Sequence, residues 1–240
     1  MKVDILAIGV HPDDVELSCS GTLLKHKEQG KTFGLLDLTL GELGSRGTPQ
    51  LRTEEAMNAA KILGASFREQ LDLGDGFFEH NRASIVEIVK IIRYCQPEIV
   101  LCNALEDRHP DHGRSAKLEA DACFFSGLQR IETEFRGEKQ IHWRPKAVYH
   151  YIQDVQLTPD FVVDITPFIE QKIESILAYQ SQFHNPNYKK EEVQTPISGK
   201  GFMDFMYAKN RVFGRPINAE FAEGFNKSRI FGVEDLFDLI

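Results

Sequence analysis

The sequence predicts an α/β protein with a Rossmann-like, doubly wound, mostly parallel sheet. Two observations carry this. Short apolar, β-branched runs alternate with stretches of helical periodicity through the first half of the chain, and the connections between them are short. The runs are also apolar on both sides rather than alternating, as strands covered by helices on two faces must be.

Residues 3–10 read as the first buried strand. A helix over 16–29 follows, with Gly30 as its C-cap. Residues 32–38 form a second strand. Pro49 opens a helix to 63, which Gly64 closes. A short strand at 69–73 precedes an amphipathic helix at 81–95. Ile85, Ile88, Val89 and Ile92 share one face of that helix, and Pro97 lies just beyond it. Residues 98–102 are a further buried strand, and 113–126 a helix. In the second half, 147–152 and 161–164 read as strands. Thr166 is the expected N-cap of a helix running from Pro167 to about 181. Residues 184–198 are polar, with Pro186 and Pro196, and read as a loop.

No repeat, low-complexity stretch or linker divides the chain, so 1–240 is expected to be one domain. Residues 185–240 would be a C-terminal extension. Phe202, Phe205, Phe213, Phe221, Phe225, Phe231 and Phe237 must be buried there, on the core or at a subunit interface.

A net charge of −8 argues against a nucleic-acid partner, which calls for a basic face. The apolar runs are strand-length, too short to span a bilayer, and the first residues show no signal-peptide pattern. A cytoplasmic protein without a membrane partner is expected. Cys19, Cys95, Cys102 and Cys123 lack CxxC spacing and read as buried thiols.

Two clusters carry chemistry. His11-Pro12-Asp13-Asp14 follows the first strand, and His109-Pro110-Asp111-His112 follows the strand at 98–102. In a doubly wound sheet both lie at the carboxyl ends of strands, where ligands bind. Each is short and turn-like, and alone either would be a weak signal, as compatible with an ordinary loop as with a site. Together they supply imidazoles and carboxylates for a divalent metal such as zinc. His11 and Asp14 are the first ligands, and the third is His109 or His112. The carboxylate left over in Asp13-Asp14 can take the proton of an attacking water. His109, if protonated, can steady an oxyanion, with Asp111 orienting it. A nucleotide-binding module would need a glycine-rich loop where HPDD stands. A metal carrier without catalysis would leave Asp13, His109 and Asp111 without a role.

These residues resemble the LmbE/PIG-L family of zinc-dependent N-acetylglucosaminyl deacetylases. Its AHPDDxE motif reads Val10-His11-Pro12-Asp13-Asp14-Val15-Glu16 here, and its second motif reads HPDH at 109–112. The stretch GELGSRGT at 41–48, then Arg52-Thr53-Glu54-Glu55, the ILGA at 62–65, the segment 103–114 and YQSQF at 179–183 are similar to the bacillithiol-biosynthesis branch. The resemblance implies His11, Asp14 and His112 as metal ligands, for zinc or iron(II). It implies Asp13 as general base and then acid, and His109 with its partner Asp111 at the oxyanion. Arg52 would contact the sugar, and Asp75 is a candidate for a sugar hydroxyl. Arg108 or Arg46 would hold a malate carboxylate. The substrate would be N-acetylglucosaminyl malate or another N-acetyl sugar conjugate, and the enzyme a homo-oligomer, trimer or hexamer. Glu16 reads as a helix-start residue rather than a ligand, and His184 as a loop residue, with an approach to the site as the alternative. His26, His80, His142 and His150 read as structural or surface residues.

Overall fold

The computed structural model describes residues 1–184 and 193–239. A seven-stranded sheet runs through the molecule, in strand order β3-β2-β1-β4-β7-β9-β8. The strands are β1 (Ile5–Gly9), β2 (Phe33–Asp37), β3 (Arg68–Gln70), β4 (Ile99–Cys102), β7 (Ala147–Tyr151), β8 (Phe161–Asp164) and β9 (Ala222–Lys227). Residues Glu134–Phe135 (β5) and Glu138–Lys139 (β6) form a separate small hairpin.

From β3 through β7 every pairing is parallel. The chain winds from β1 outward to β2 and β3, then returns to the other side of β1 to lay down β4. The switch point therefore lies between β1 and β4, and the two expected clusters flank it. Every residue of β1 is buried, as a strand covered on both faces requires.

Helices α1 (Asp14–Ser18), α2 (Ser20–Glu28), α3 (Pro49–Leu63), α4 (Arg82–Cys95), α5 (Pro110–Ser126), α6 (Ile169–Leu177) and α7 (Lys200–Gly214) complete the fold. One core layer joins Leu6, Ile8 and Val100 of the sheet to Ile88, Ile92 and Leu118 of α4 and α5. The opposite layer joins Ile5, Ala7 and Leu35 to Leu23, Leu24 and Leu63. A third cluster packs α3, α6 and α7 together through Ala59, Ile173, Ile176 and Met206.

Several elements lie where the sequence puts them. Pro49 opens α3 beside the capping hydroxyl of Thr48, and Gly64 ends it at φ 70°, a left-handed position that favours glycine. Asn81 caps α4 by accepting from the Ser84 N–H. All four cysteines are buried free thiols.

Other elements differ. The first helix begins at Asp14, two residues early, because the Asp14 carboxylate itself accepts the His11 N–H at 2.9 Å; the helix is broken at Cys19 into α1 and α2. The helix after the second cluster begins at Pro110 rather than 113, which puts Asp111 and His112 in its first turn. Thr166 is not an N-cap. It lies in a 3-10 turn, Thr166–Phe168, where its N–H and hydroxyl both donate to Asp164, and α6 ends at Leu177.

The C-terminal part supplies α7 and β9, neither of which periodicity suggested. β9 inserts antiparallel between β7 and β8, so two strands adjacent in sequence are separated in the sheet. Phe213, Phe221 and Phe225 are buried, while Phe205, Phe231 and Phe237 stay exposed, so the expected burial holds for only part of the set. A buried pin fixes this region: the Glu223 carboxylate accepts from Lys172 Nζ at 2.7 Å and from the backbone N–H groups of Gly21 and Thr22. The expected loop at 184–198 falls partly outside the described residues. Among the described residues no helix is long and apolar enough to cross a membrane.

Candidate metal centre

His11 is the second residue beyond β1. Arg52, on α3, clamps the turn that follows. Its guanidinium donates to the Pro12 carbonyl at 2.7 Å and the Gly41 carbonyl at 3.0 Å, and lies 3.4 Å from Asp13 Oδ2. Arg52 commits its guanidinium here, while Glu55, on the same helix, accepts from the Ser181 N–H and hydroxyl. Gly41 is required beneath the clamp, because a side chain there would collide with the Arg52 guanidinium. Within this turn Asp13 has φ 111°, an uncommon conformation for a residue other than glycine.

At the other wall His109 is the N-cap of α5. Its Nδ1 accepts the Asp111 N–H at 3.3 Å, and Pro110 occupies the first helical position. His112 follows in the same turn.

The two clusters meet. His112 Nε2 lies 3.2 Å from Asp14 Oδ1, and His11 Nδ1 lies 3.8 Å from Asp14 Oδ2. The far nitrogen of each ring is held by a carboxylate: His11 Nε2 by Asp75 at 3.0 Å and Asp111 at 3.4 Å, His112 Nδ1 by Asp107 at 2.5 Å. This is the arrangement that metal-binding histidines use to fix tautomer and orientation. Asn103 Nδ2 and Gln153 Nε2 each donate to Asp14 at 3.0 Å and hold the carboxylate in place. Two imidazole nitrogens and a carboxylate, each backed by its own partner, fit a divalent cation of the zinc type. The imidazoles of His11, His109 and His112 also offer nitrogens within 4.8 Å of one another, so His109 adjoins the same point.

The electrostatics follow from burial and charge. Burial opposes the charged form of His11, but hydrogen bonds to Asp111 and Asp75 and the charge of Asp14 raise it to about 9. Burial likewise opposes His112, which Asp14 and Asp107 raise to about 10. A cation entering here would displace protons from basic rings. Burial works to raise Asp14, yet the facing His112 and His11 hold it well below the usual carboxylate range. Asp13 goes the other way. Burial pushes it up to about 7, with Arg52 opposing and Asp14 adding to the rise. Two adjacent carboxylates thus have opposite characters, the pattern by which acid–base pairs are recognised. His109 is lowered by burial and then by the charges of His11 and His112. Its ring is neutral, and because Nδ1 is an acceptor its proton sits on Nε2. That ring can present its Nε2–H to the cleft without being charged, so the protonation that the sequence reading made a condition is not needed for it to donate.

Other expected residues stand in different relations. The Asp111 carboxylate turns to His11, to the Gly76 N–H and to Arg114 instead of to His109. Its expected service to His109 comes from its backbone. Asp75 lines the cleft, but its two oxygens are engaged by His11 Nε2 and the Leu43 N–H, which makes it a support for His11 before it is a sugar contact. Arg108 stands half-exposed at the mouth, paired with Asp154. Arg46 is buried and donates to the Ser181 carbonyl. Glu16 lies in the first turn of α1, as the sequence suggests. It is fully buried in an ion network with Arg68, which also binds Asp37 through two nitrogens. His184 is not among the residues lining the cleft; Gln182 and Ile197 are. His150 is structural, its Nδ1 bound to the Asn103 carbonyl.

Sequence reasoning missed Asp107, Asn103, Gln153 and Glu119. Asp107 and Asn103 lie within the segment quoted for the resemblance, but no spacing distinguishes them. The cleft itself is open, about 330 Å³, with His11, Asp13, Asp14, Arg52, His109 and His112 along its walls.

The chain is similar to known proteins over most of its length. Residues 6–123 match the family model described as PIG-L, GlcNAc-PI de-N-acetylase. The chain is 30% identical over 190 residues to a diacetylchitobiose deacetylase of Thermococcus kodakarensis, covering 75% of this chain and 70% of that protein. It is 26% identical over 232 residues to a 4-oxalmesaconate hydratase of Pseudomonas putida, covering 90% and 88%. A probable N-acetyl-alpha-D-glucosaminyl L-malate deacetylase 2 of Bacillus anthracis is 22% identical over 195 residues, covering 75% and 81%. Among solved structures, the conserved protein TT1542 of Thermus thermophilus superposes with a TM-score of 0.83 at 32% identity, over 97% of this chain and 98% of that one.

Proposed function

The chain belongs to the PIG-L family of deacetylases, and from that premise we propose that it hydrolyses the N-acetyl group of an N-acetylglucosaminide, N-acetylglucosaminyl malate of bacillithiol biosynthesis before others. The carrying observation is the pairing of opposites at the strand end: Asp14 held ionised between His11 and His112, and Asp13 beside it held near neutrality by burial.

In this reading His11, Asp14 and His112 hold the cation, zinc or iron(II). His112 is favoured over His109 because its outer nitrogen is backed by a carboxylate, whereas His109 Nδ1 is an acceptor for a backbone N–H. When bound, the cation supplies a Lewis acid that polarises the acetyl carbonyl and acidifies water. Asp13 takes the proton of the attacking water. Its raised affinity for that proton then suits it to deliver the proton to the departing amine, and acetate leaves. His109 donates from Nε2 to the oxygen of the tetrahedral intermediate. Arg52 keeps the Asp13 turn in its strained form and faces the sugar side of the cleft. Arg108 at the mouth suits a carboxylate on the aglycone.

The malate conjugate is supported by the motif likeness to the bacillithiol branch and by the malate deacetylase relative. The chitobiose deacetylase relative supports a plainer N-acetyl sugar. The hydratase relative supports a second reading, in which the same residues direct water to a carbon–carbon double bond of a carboxylate substrate. A cytoplasmic homo-oligomer completes the proposal, supported by the exposed apolar side chains of Phe77 and Ile230.

The deciding experiment is acetate release from N-acetylglucosaminyl malate and from N-acetylglucosamine, with added zinc and with a chelator. Metal-dependent release favouring the conjugate is expected. Equal, feeble rates would overturn the malate assignment, and no release from either would overturn the deacetylase.

A further inference from the structure

A second, smaller pocket opens beside the metal cleft, under α7. The two share Leu17, Arg108, His112 and Ile197. The apolar Phe202, Phe205 and Met206 and the acidic Asp107 and Asp154 also line it, and Lys209, one turn further along the same helix, completes the wall. Its volume is about 50 Å³, the scale of one small organic group rather than a sugar.

The charges around it are already committed, except one. Asp107 accepts from His112 Nδ1 and from the N–H groups of Asp154 and Val155. Asp154 is paired with Arg108. Lys172, a like charge that acts on Lys209, is bound to Glu223 and to the carbonyls of Glu16 and Leu17. Lys209 alone has no hydrogen bond or ion pair among the described residues. Burial pushes its ammonium down to about 7, Lys172 adding to the fall while Glu223, Asp107 and Asp154 oppose it. Lys209 is half-buried at the pocket wall, and an amine there without a partner is one that an anion can satisfy.

We propose that this pocket binds a short carboxylate, its apolar body against Phe202, Phe205 and Met206 and its charge on Lys209. Two sources share that chemistry: the acetate released by the reaction, and a carboxylate arm of the substrate. The choice of source rests on the deacetylase reading; the binding itself does not.

The test is calorimetric titration of the zinc-loaded wild-type protein, Lys209→Met and Lys209→Arg with sodium acetate, sodium malate and, as a neutral control, acetamide. Lys209→Met keeps the apolar wall and removes the charge. Binding of at least one anion should weaken about tenfold or more in Lys209→Met, as for a lost charged hydrogen bond, and be retained in Lys209→Arg. Acetamide should bind alike to all three proteins. Equal anion affinities in wild type and Lys209→Met, or no anion binding by the wild type, would overturn the proposal. Kinetics assign the source. Weakened inhibition by acetate alone marks a product pocket. A raised KM for N-acetylglucosaminyl malate but not for N-acetylglucosamine, at constant kcat, marks a substrate arm. If the wild type releases no acetate from any N-acetyl sugar, the deacetylase reading fails while the titration still decides the pocket.

Discussion

Asp107 Oδ2 accepts a hydrogen bond from His112 Nδ1 at 2.5 Å, and the same carboxylate is itself held by the N–H groups of Asp154 and Val155 through its other oxygen. The ring is thereby fixed with Nε2 toward Asp14. Asp107→Asn should lower metal affinity 10- to 100-fold while leaving the fold intact, the usual effect of removing such a support. Competition against a chromogenic chelator measures it, and an unchanged affinity would refute the role. His112→Ala, which removes the nitrogen itself, should lose the metal more completely.

Asp13→Asn should keep metal stoichiometry and lose nearly all turnover, because asparagine fits the same backbone region but cannot accept the water proton. Metal analysis alongside single-turnover acetate release separates the two effects. Loss of bound metal in this variant would contradict the assignment of Asp13 as base.

His109→Ala should also retain metal and lower kcat by roughly 10²–10³, the cost of one removed oxyanion donor. Since His109 donates as a neutral ring, the wild-type rate should not rise on acidification below its lowered pKa. A rate that grows as His109 protonates would show that the charged form is the active one.

Glu119 is buried, and burial pushes its pKa to about 8 against a hydrogen bond from the Asn103 N–H. The unfolded value is near 4.5. Between these values the folded state binds more protons than the unfolded one, so stability falls as pH rises from about 4.5 to 8. Glu119→Gln removes that loss. Its melting temperature should exceed the wild type's at pH 8 and approach it near pH 5. Parallel pH dependence of the two proteins would count against this.

Arg68 joins Glu16 and Asp37, all three with essentially no exposure. Arg68→Met strands two buried carboxylates and should destabilise by about 3–5 kcal/mol. At roughly 2–4 °C per kcal/mol for a chain of this size, the thermal midpoint should fall by about ten degrees. A melt within a degree or two of wild type would remove the network from the account of stability.

The parallel half of the fold was legible because its signals are local. Pro49 and Gly64 bracket α3, Asn81 starts α4, and the apolar runs are long enough to read as buried strands. The metal residues were legible because two short motifs fall at the ends of neighbouring strands. What escaped was set by distance in sequence. Nothing near Asp107 announces that it will meet His112, and nothing near Asn103 or Gln153 announces Asp14. β9 escaped because AEGFNK, with glycine and three polar residues, becomes a strand only between two partners that are already extended. Asp14 shows the same limit at short range: its side chain captures the His11 N–H and draws the helix start back onto itself.

The insertion of β9 has a consequence for how the molecule is made. Among the described residues β8 pairs only with β9, so until residues 222–227 have emerged, β7 and β8 offer unpaired edges. The Glu223 tether to the start of α2 forms at the same moment. A ribosome that stalls before residue 222 would therefore release a chain carrying every motif residue but with its sheet still open, a target for quality control rather than a weakened enzyme.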